Sequence, residues 1–556
     1  MSKYSFSKIA NVKFSRSKFD LSQQHKTTMN VGDLCPVYVQ EVYPGDSFKV
    51  NTAFVARASV PYLKVPMDNL FMDMYYFFVP NRLVYDKWTE VFGENKSSAW
   101  VPSAAVAAPM ASAPLIYSKA GTVANYMGIP YIPNPDGPAS INDLPFRAFA
   151  LIWNEWFRDE NVQAPVYINT ASTSGGTLNT NAWSSSNFYG MVPKINKVHD
   201  YFTSCLPGTQ KGNQATVPLV TALQAPVKTS SSNTYVVSSG AIPLKLRSTT
   251  STVPLAGYNL ATSNIVSGTA DVSTNIQSGG TGTGIKVYPS NLYADLSGLN
   301  AVNVNDLRFA FQLQKMLELD ARGGTRYTEY LLNHFGTINP DARLQRPEFL
   351  GGKRQPLTMQ QVASTVADPS GSGAPQASVA AYSLSGGINK VTKSFTEHGF
   401  IIGVAAIRYY HTYQQGIERF WYRQNRVDYY DPLFAHLGEQ PVYRRELYVT
   451  GGSTNDTNVF GYQEPWADLR FRKNLVSGAL ASNENQGLDV WHFADLYSSA
   501  PALSDSFIRE NVGPIDRALS AGSSTIPNFI LDFYFNVDAI RVLPTYGTPG
   551  RIDHHM

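Results

Sequence analysis

The sequence predicts an all-β fold, one sandwich or barrel interrupted by long insertions, and three observations carry that reading. Apolar and aromatic segments with the two-residue period of strands stand near both ends of the chain. Turn formers punctuate it throughout, with 41 Gly and 34 Pro among 556 residues. Helical periodicity is confined to a few connecting segments. Strand character at both ends fits one interrupted domain better than tandem domains, and predicts that the first strands pair with the last in one sheet. No internal repeat is found.

Taken in order, residues 1–30 are polar and basic, with Lys3, Lys8, Lys13, Arg16, Lys18 and Lys26 against a single acid, Asp20. They read as an extended arm that either frays in solvent or lies along packaged nucleic acid. Strands begin at Val37. Phe48, Val50 and Phe54 face one way and Lys49 and Asn51 the other, so this strand is half-buried. Leu70–Val79 is mostly apolar or aromatic on both faces and calls for cover on both sides. Asn81 can cap a helical segment whose Val84, Trp88, Val91 and Phe92 share a face, with Gly93 as its stop. Asn142 opens a second helix, on which Phe146, Phe149, Ala150, Trp153 and Phe157 keep helical spacing. A third runs from Asn305 to Gly323 and Gly324, with Phe309, Leu313, Met316 and Leu317 on one side. These stripes belong to a core or an interface, not to a cofactor site. Gly399–Tyr413 is another buried strand, and Phe533, Phe535 and Val537 alternate with Asp532, Tyr534, Asn536 and Asp538 near the end.

Two segments stand apart. Residues 209–290 are rich in Ser, Thr, Gly and Asn yet keep scattered Val and Ile, which predicts a long loop with short strands of its own. A second loop, rich in Ser, Gly and Ala, spans 364–388. Loops of this length in a compact protein usually carry function, and neighbouring copies of a subunit can order them.

Composition narrows the function. Charged residues make up 16%, well under the roughly 25% of ordinary soluble proteins, while aromatics reach 12% with 32 Tyr and 29 Phe. A subunit that hides its surface against copies of itself tolerates such a balance better than a solitary monomer does. The net charge of +3 provides no global field for nucleic acid or anionic membrane, so any basic patch is local. No apolar run approaches the roughly 18–20 residues of a membrane span, and Lys or Arg interrupts the N-terminal segment too often for a secretory signal. Cys35 and Cys205 are far apart and outside any zinc spacing, as expected of reduced thiols.

Motifs for catalysis are missing. Gly280, Gly282 and Gly284 lack the spacing and strand–turn–helix context of a nucleotide loop, and there is no GxSxG, HExxH or P-loop pattern. His554 and His555 read as a tail rather than a metal site. The prediction is therefore no catalytic residue, no cofactor and no metal. One segment invites a sharper reading: Tyr409, Tyr410, Tyr413, Arg419, Phe420, Trp421, Tyr422, Arg423, Arg426, Tyr429 and Tyr430 mix rings with guanidinium groups. Such a mixture makes either a stacking platform for unpaired bases or the hot spot of a subunit contact, and the contact is favoured.

Particular blocks carry a resemblance. RSKFDLSQQHKTTMNVGDLCPVYVQEVYPGDSF and MDNLFMDMYYFFVPNRLVYDKW resemble the start of gokushovirus major capsid proteins, a branch of the microviruses. LPFRAFALIWNEWFRDEN, HDYFTSCLPGTQKG, FAFQLQKMLELDARGGTRYTEYLLNHFG and PDARLQRPEFLGG continue the likeness, as do WYRQNRVDYYDPLF, GYQEPWADLRFRKN and the closing LPTYGTPGRIDHH. They keep the family's order along nearly the whole chain.

The resemblance implies a single eight-stranded jelly roll over 31–556, with 1–30 as the arm and 209–290 as a surface protrusion at the threefold axes. It implies a T=1 icosahedral shell around a circular single-stranded DNA genome, built by self-association about fivefold and threefold axes. The inner face would meet DNA and a small basic packaging protein, with a minor pilot protein as a further partner. The protrusion would meet a bacterial receptor, and the chain would pass from the host cytoplasm into the virion without entering a membrane. The alternatives are an all-β carbohydrate-binding protein or glycoside hydrolase, and a tail or fibre component. A hydrolase would need a cleft with paired carboxylates, and a fibre would show sequence repeats.

Overall fold

The computed structural model describes residues 15–96, 106–113, 119–130, 139–213, 227–229, 246–248, 287–289, 292–294, 304–357, 360–363, 379–385, 389–435, 437–452, 454–484 and 487–546. Lys3, Lys8, Lys13, Gly280, Gly282, Gly284, His554 and His555 lie outside these residues. The chain falls into two compact units, one of Met1–Lys211 with Glu318–Met556 and one of Gly212–Leu317.

The larger unit is built on two antiparallel sheets. The main strands of these two sheets are β1 (Ser17–Asp20), β2 (Gln23–Met29), β3 (Cys35–Val42), β4 (Ser47–Ala58), β5 (Leu70–Pro80), β6 (Glu348–Leu357), β7 (Asn389–Ser394), β8 (Gly399–Tyr409) and β9 (Phe529–Arg541). One sheet runs β2–β9–β4–β7, with β1 also paired to β9 and with Val379–Ser385 and Gln360–Ala363 continuing beyond β4. The other runs β3–β8–β5–β6. The last strand thus pairs with the first ones, as the sequence predicts: Phe533 lies opposite Phe54 and Val537 opposite Val50.

Alternation decides which face turns inward. Phe48, Val50, Thr52, Phe54 and Ala56 of β4 join Phe529, Leu531, Phe533, Phe535, Val537 and Ala539 of β9 in the core, and the residues between them face outward. The sheets close on one another through Tyr38 of β3, whose ring centroid is 4.8 Å from that of Phe535, and through the Thr52 hydroxyl, which hydrogen-bonds the Tyr76 hydroxyl of β5. Along β5 and β8 nearly every residue is buried, because this second sheet is covered on its far side too.

The cover is α1 (Leu144–Ile152), which packs on β5 and β8. Asn142 opens it by accepting the Leu144 amide at 2.9 Å. At Trp153 the helix widens into a π turn, closed by the Arg158 amide on the Trp153 carbonyl at 2.9 Å. That turn sets Trp156 over Phe77 at 5.4 Å and Phe157 beside Tyr75 at 5.6 Å.

Three expectations need correction. The arm assigned to 1–30 ends early, since Ser17–Asp20 and Gln23–Met29 hydrogen-bond along β9 and are sheet. The helix capped by Asn81 is broken into a 3-10 turn, Asn81–Leu83, and a short helix, Trp88–Val91, because the Asp86 amide is drawn off to the Thr170 carbonyl. The strand predicted over Gly399–Tyr413 stops at Tyr409, where the chain leaves the sheet.

The third helix is α2 (Val304–Gly323), followed by α3 (Tyr327–Phe335), which ends on Gly336 at φ +67°. Of its predicted stripe, Phe309 and Met316 are exposed. The smaller unit contains two antiparallel pairs of short strands, Val227–Thr229 with Leu292–Ala294 and Leu246–Ser248 with Val287–Pro289. Between β8 and β9 a long excursion builds a satellite core of its own from Tyr413, Val442, Leu447, Phe460 and Phe507, joined by Tyr201 and Phe202.

Candidate functional site

The segment rich in rings and arginines lies where β8 leaves the sheet and enters that excursion, and the structure divides it in two. Five of its side chains turn inward. Tyr409 is fully buried and its hydroxyl donates to the Asn511 carbonyl at 3.0 Å. The Tyr413 hydroxyl donates to Asp200 at 2.7 Å, with its ring edge-on to Phe202. Arg419 donates to the Pro441 carbonyl at 3.0 Å and stands 3.9 Å from Glu446. Arg423 is ion-paired with Asp468, and Tyr422 lies under the Arg445 guanidinium at 3.4 Å. Six others face outward: Tyr410, Phe420, Trp421, Arg426, Tyr429 and Tyr430. Tyr410 rests on Phe71 at 5.1 Å and the rest crown the surface.

Beneath the segment sits a buried ionic network that the sequence did not announce. His411 has no exposed side-chain surface and bridges two carboxylates, Nδ1 at 3.0 Å from Asp495 and Nε2 at 2.6 Å from Glu510. Lys197 Nζ is 3.0 Å from Asp495 and lies over the Phe507 ring at 4.7 Å. The Tyr497 hydroxyl donates to the same carboxylate at 3.0 Å. Burial disfavours a charged His411 ring, but Asp495 and Glu510 outweigh it and raise its pKa to about 9. Burial also pushes the Asp495 carboxyl upward, and His411 and Lys197 together overcome this and hold it well below the usual carboxylate range. Lys197, His411 and the Asp495/Glu510 pair come from three distant stretches of chain, so no local spacing could reveal them.

A second buried centre ties the covered sheet together. Asp73 of β5 receives Arg354 of β6 at 2.8 Å and is ion-paired with Arg408 of β8. Both guanidiniums border a cavity of about 680 Å³, whose walls also include Trp156, Phe157, Arg326 and Phe349. Of its cations, Arg354 and Arg408 are engaged by Asp73 and Arg326 by Glu329 at 3.0 Å, and Asp159, Glu160, Lys197 and His199 line it as well. Among the described residues there is no group of three or more His, Cys, Asp or Glu side chains that could hold a metal ion, and no helix is long and apolar enough to cross a membrane.

Of the predicted arm cations, Arg16 and Lys18 are described. Lys18 is ion-paired with Asp538 of β9 at 2.8 Å and stays largely exposed on the outer face of the first sheet. The same face carries Lys26, Lys49, Arg57 and Lys390.

The comparison with known proteins decides the family. The model of the phage capsid protein (F protein) family matches residues 7–551. The chain belongs to that family. This phage capsid protein is 40% identical over 546 residues to the capsid protein VP1 of Spiroplasma virus 4, covering 96% of this chain and 95% of that one. It is 37% identical over 550 residues to the capsid protein VP1 of Bdellovibrio phage phiMH2K, covering 98% and 97% of the two chains. With capsid protein VP1 of Chlamydia phage 1 the identity is 34% over 588 residues, again with 98% and 97% covered. Such full-length likeness favours a structural role over the carbohydrate-active alternative, and it accounts for a surface whose sharpest features are rings and ion pairs rather than a reactive cleft.

Proposed function

We propose that this capsid protein is a jelly-roll subunit that closes a T=1 icosahedral shell around a circular single-stranded DNA genome. The observation that carries the reading is the strand order. In each sheet, strands distant in sequence alternate, β2–β9–β4–β7 in one and β3–β8–β5–β6 in the other, which is the order that rolling up an eight-stranded antiparallel ribbon produces. The wedge so formed leaves its connections free to meet neighbours, and the connections here are long. Heterologous contacts of this kind close on rotation axes, and closure multiplies contacts that are individually weak.

Within that reading, the arm up to Arg16, with Lys3, Lys8, Lys13 and Arg16, and Lys18 on β1 supply the cations of the inner wall, facing DNA and a small basic packaging protein. The β9 face of the first sheet continues that wall. Residues 209–290 form the outward protrusion at the threefold axes, where a bacterial receptor would be met, and a minor pilot protein completes the particle. Assembly takes place in the host cytoplasm before the chain enters the virion.

Electron microscopy of the chain expressed with a circular single-stranded genome tests the proposal. Uniform closed particles that protect the DNA from nuclease, and lose that protection in salt when residues 1–16 are deleted, are the expected result. Small soluble species under every assembly condition would end it.

A further inference from the structure

Resting on the shell reading, we infer that residues 420–437 are a contact surface for a second copy of this chain, held in shape by Trp466. Trp421, Val427, Tyr429, Tyr430, Leu433 and Leu437 are each 48–88% exposed, although they lie within a stretch of 17 residues. Their exposed apolar surface is on the order of 700 Å², above the ~300–600 Å² of the largest patch on an ordinary monomer. It is close to the ~800 Å² that one partner contributes to a stable protein interface. Area therefore calls for a protein-sized cover rather than a small ligand.

Charge selects the kind of partner. Between Trp421 and Leu437, Arg423 and Arg426 are balanced by Asp428 and Asp431, and Arg423 is further neutralised by Asp468. A segment with no net positive charge of its own holds a phosphate backbone poorly, which favours a protein partner over the genome. What remains is an apolar patch with an exposed guanidinium, Arg426, the composition of an interface hot spot. For a subunit of a self-assembling family the neutral partner present at highest concentration is another copy. At one end of the patch, Phe420 and Leu469 border a cavity of about 260 Å³ whose walls mix Phe202 and Phe471 with charged side chains, Arg419, Arg472 and Glu446 among them, a hole for a polar-tipped side chain of the neighbour.

The loop is shaped in advance. Trp466 has φ +62°, in the left-handed region that a bulky side chain rarely adopts. In that conformation its indole N–H donates to the Phe434 carbonyl at 3.0 Å and its ring stands edge-on to Tyr430 at 5.5 Å. Gln440 accepts the Trp466 amide at 3.2 Å and holds the strained turn from the other side. Trp466 is a positioning residue: it fixes a loop whose own side chains make little contact with the body, and a rigid loop binds with less loss of entropy.

Hydroxyl-radical footprinting of the full chain across a concentration series, with sedimentation on the same samples, tests this. Oxidation of Trp421, Tyr429 and Leu433 should fall several-fold as copies associate. Leu433→Arg should weaken self-association by about thirtyfold or more, while Met67→Arg, at another largely exposed apolar side chain outside the patch, should not. Trp466→Gly should keep a folded sandwich by circular dichroism yet weaken association and raise oxidation of the loop. Closed shells in which the patch stays fully reactive would overturn the inference and leave the shell reading standing. Protected open oligomers that never close would do the reverse. A chain that stays monomeric at every concentration would overturn both.

Discussion

The two sheets of the sandwich are built from similar residues and live in different surroundings. In the sheet β3–β8–β5–β6, the middle strands β5 and β8 are buried on both faces, one against the opposing sheet and one under α1 and its π turn. In the sheet β2–β9–β4–β7, β4 and β9 bury one face and leave the other bare, where Lys18 meets Asp538 and Lys26 reaches Asp532 in full view of solvent. A covered sheet must satisfy its charges internally, as Asp73 does with Arg354 and Arg408, whereas a bare sheet can leave them to water. The difference predicts that truncations in the covered sheet cost more stability than those on the bare face.

Three perturbations would break or sharpen that contrast. The largest effect belongs to the covered sheet: Phe77→Ala removes a ring packed by Trp156, Phe157 and Phe349, and should cost about 3–5 kcal/mol. Tyr534→Ala on the bare face of β9 should stay within roughly 0.5 kcal/mol. Urea unfolding of both variants measures the gap, and equal losses would mean that the bare face is not bare.

The next effect is electrostatic and sits just past the end of β8. His411 titrates at about 9 in the folded chain against an ordinary value of 6.5. A pKa raised by folding contributes stability that is complete below 6.5 and is lost as pH rises through 9, about 3 kcal/mol in all. Asp495, held low, adds stability above its ordinary 3.8 that is lost on acidification. Thermal unfolding should therefore show a plateau from about pH 4 to 6.5 and a decline toward pH 9. In His411→Gln the alkaline decline should disappear. Lys18→Ala on the bare sheet should leave the profile unchanged, since its pair with Asp538 is solvated.

The smallest effect concerns the cover itself. Asn142→Ala deletes the acceptor for the Leu144 amide and should cost about 1 kcal/mol. Hydrogen exchange should quicken in α1 and the outer face of β5 before any change reaches β9.

Much of the sandwich was legible in the chain. The mostly apolar run of β5, broken only by Asp73, announced a strand covered on both sides, and the alternation in β4 and β9 announced one-sided burial, because side chains on a strand point to opposite faces in turn. Asn305 and the Gly323–Gly324 pair bracketed α2 to within a residue, since helix ends need local caps. The ring-and-arginine segment was legible as a notable composition, but not as two populations with opposite fates. Tyr409 and Tyr413 turn inward and Trp421 and Tyr429 outward, and that division depends on where Asp200, Asn511 and Asp468 come to rest.

What the chain determined by itself is therefore whatever periodicity and capping encode over a few residues: strand faces, helix limits and the all-β character. Only the tertiary structure decided that residues 17–29 belong to the sheet, that His411 is clamped by Asp495 and Glu510, and that Trp466 is strained to hold the loop at 420–437. Those features arise from groups hundreds of positions apart, whose hydrogen bonds and charges acquire partners only when folding brings them out of water together.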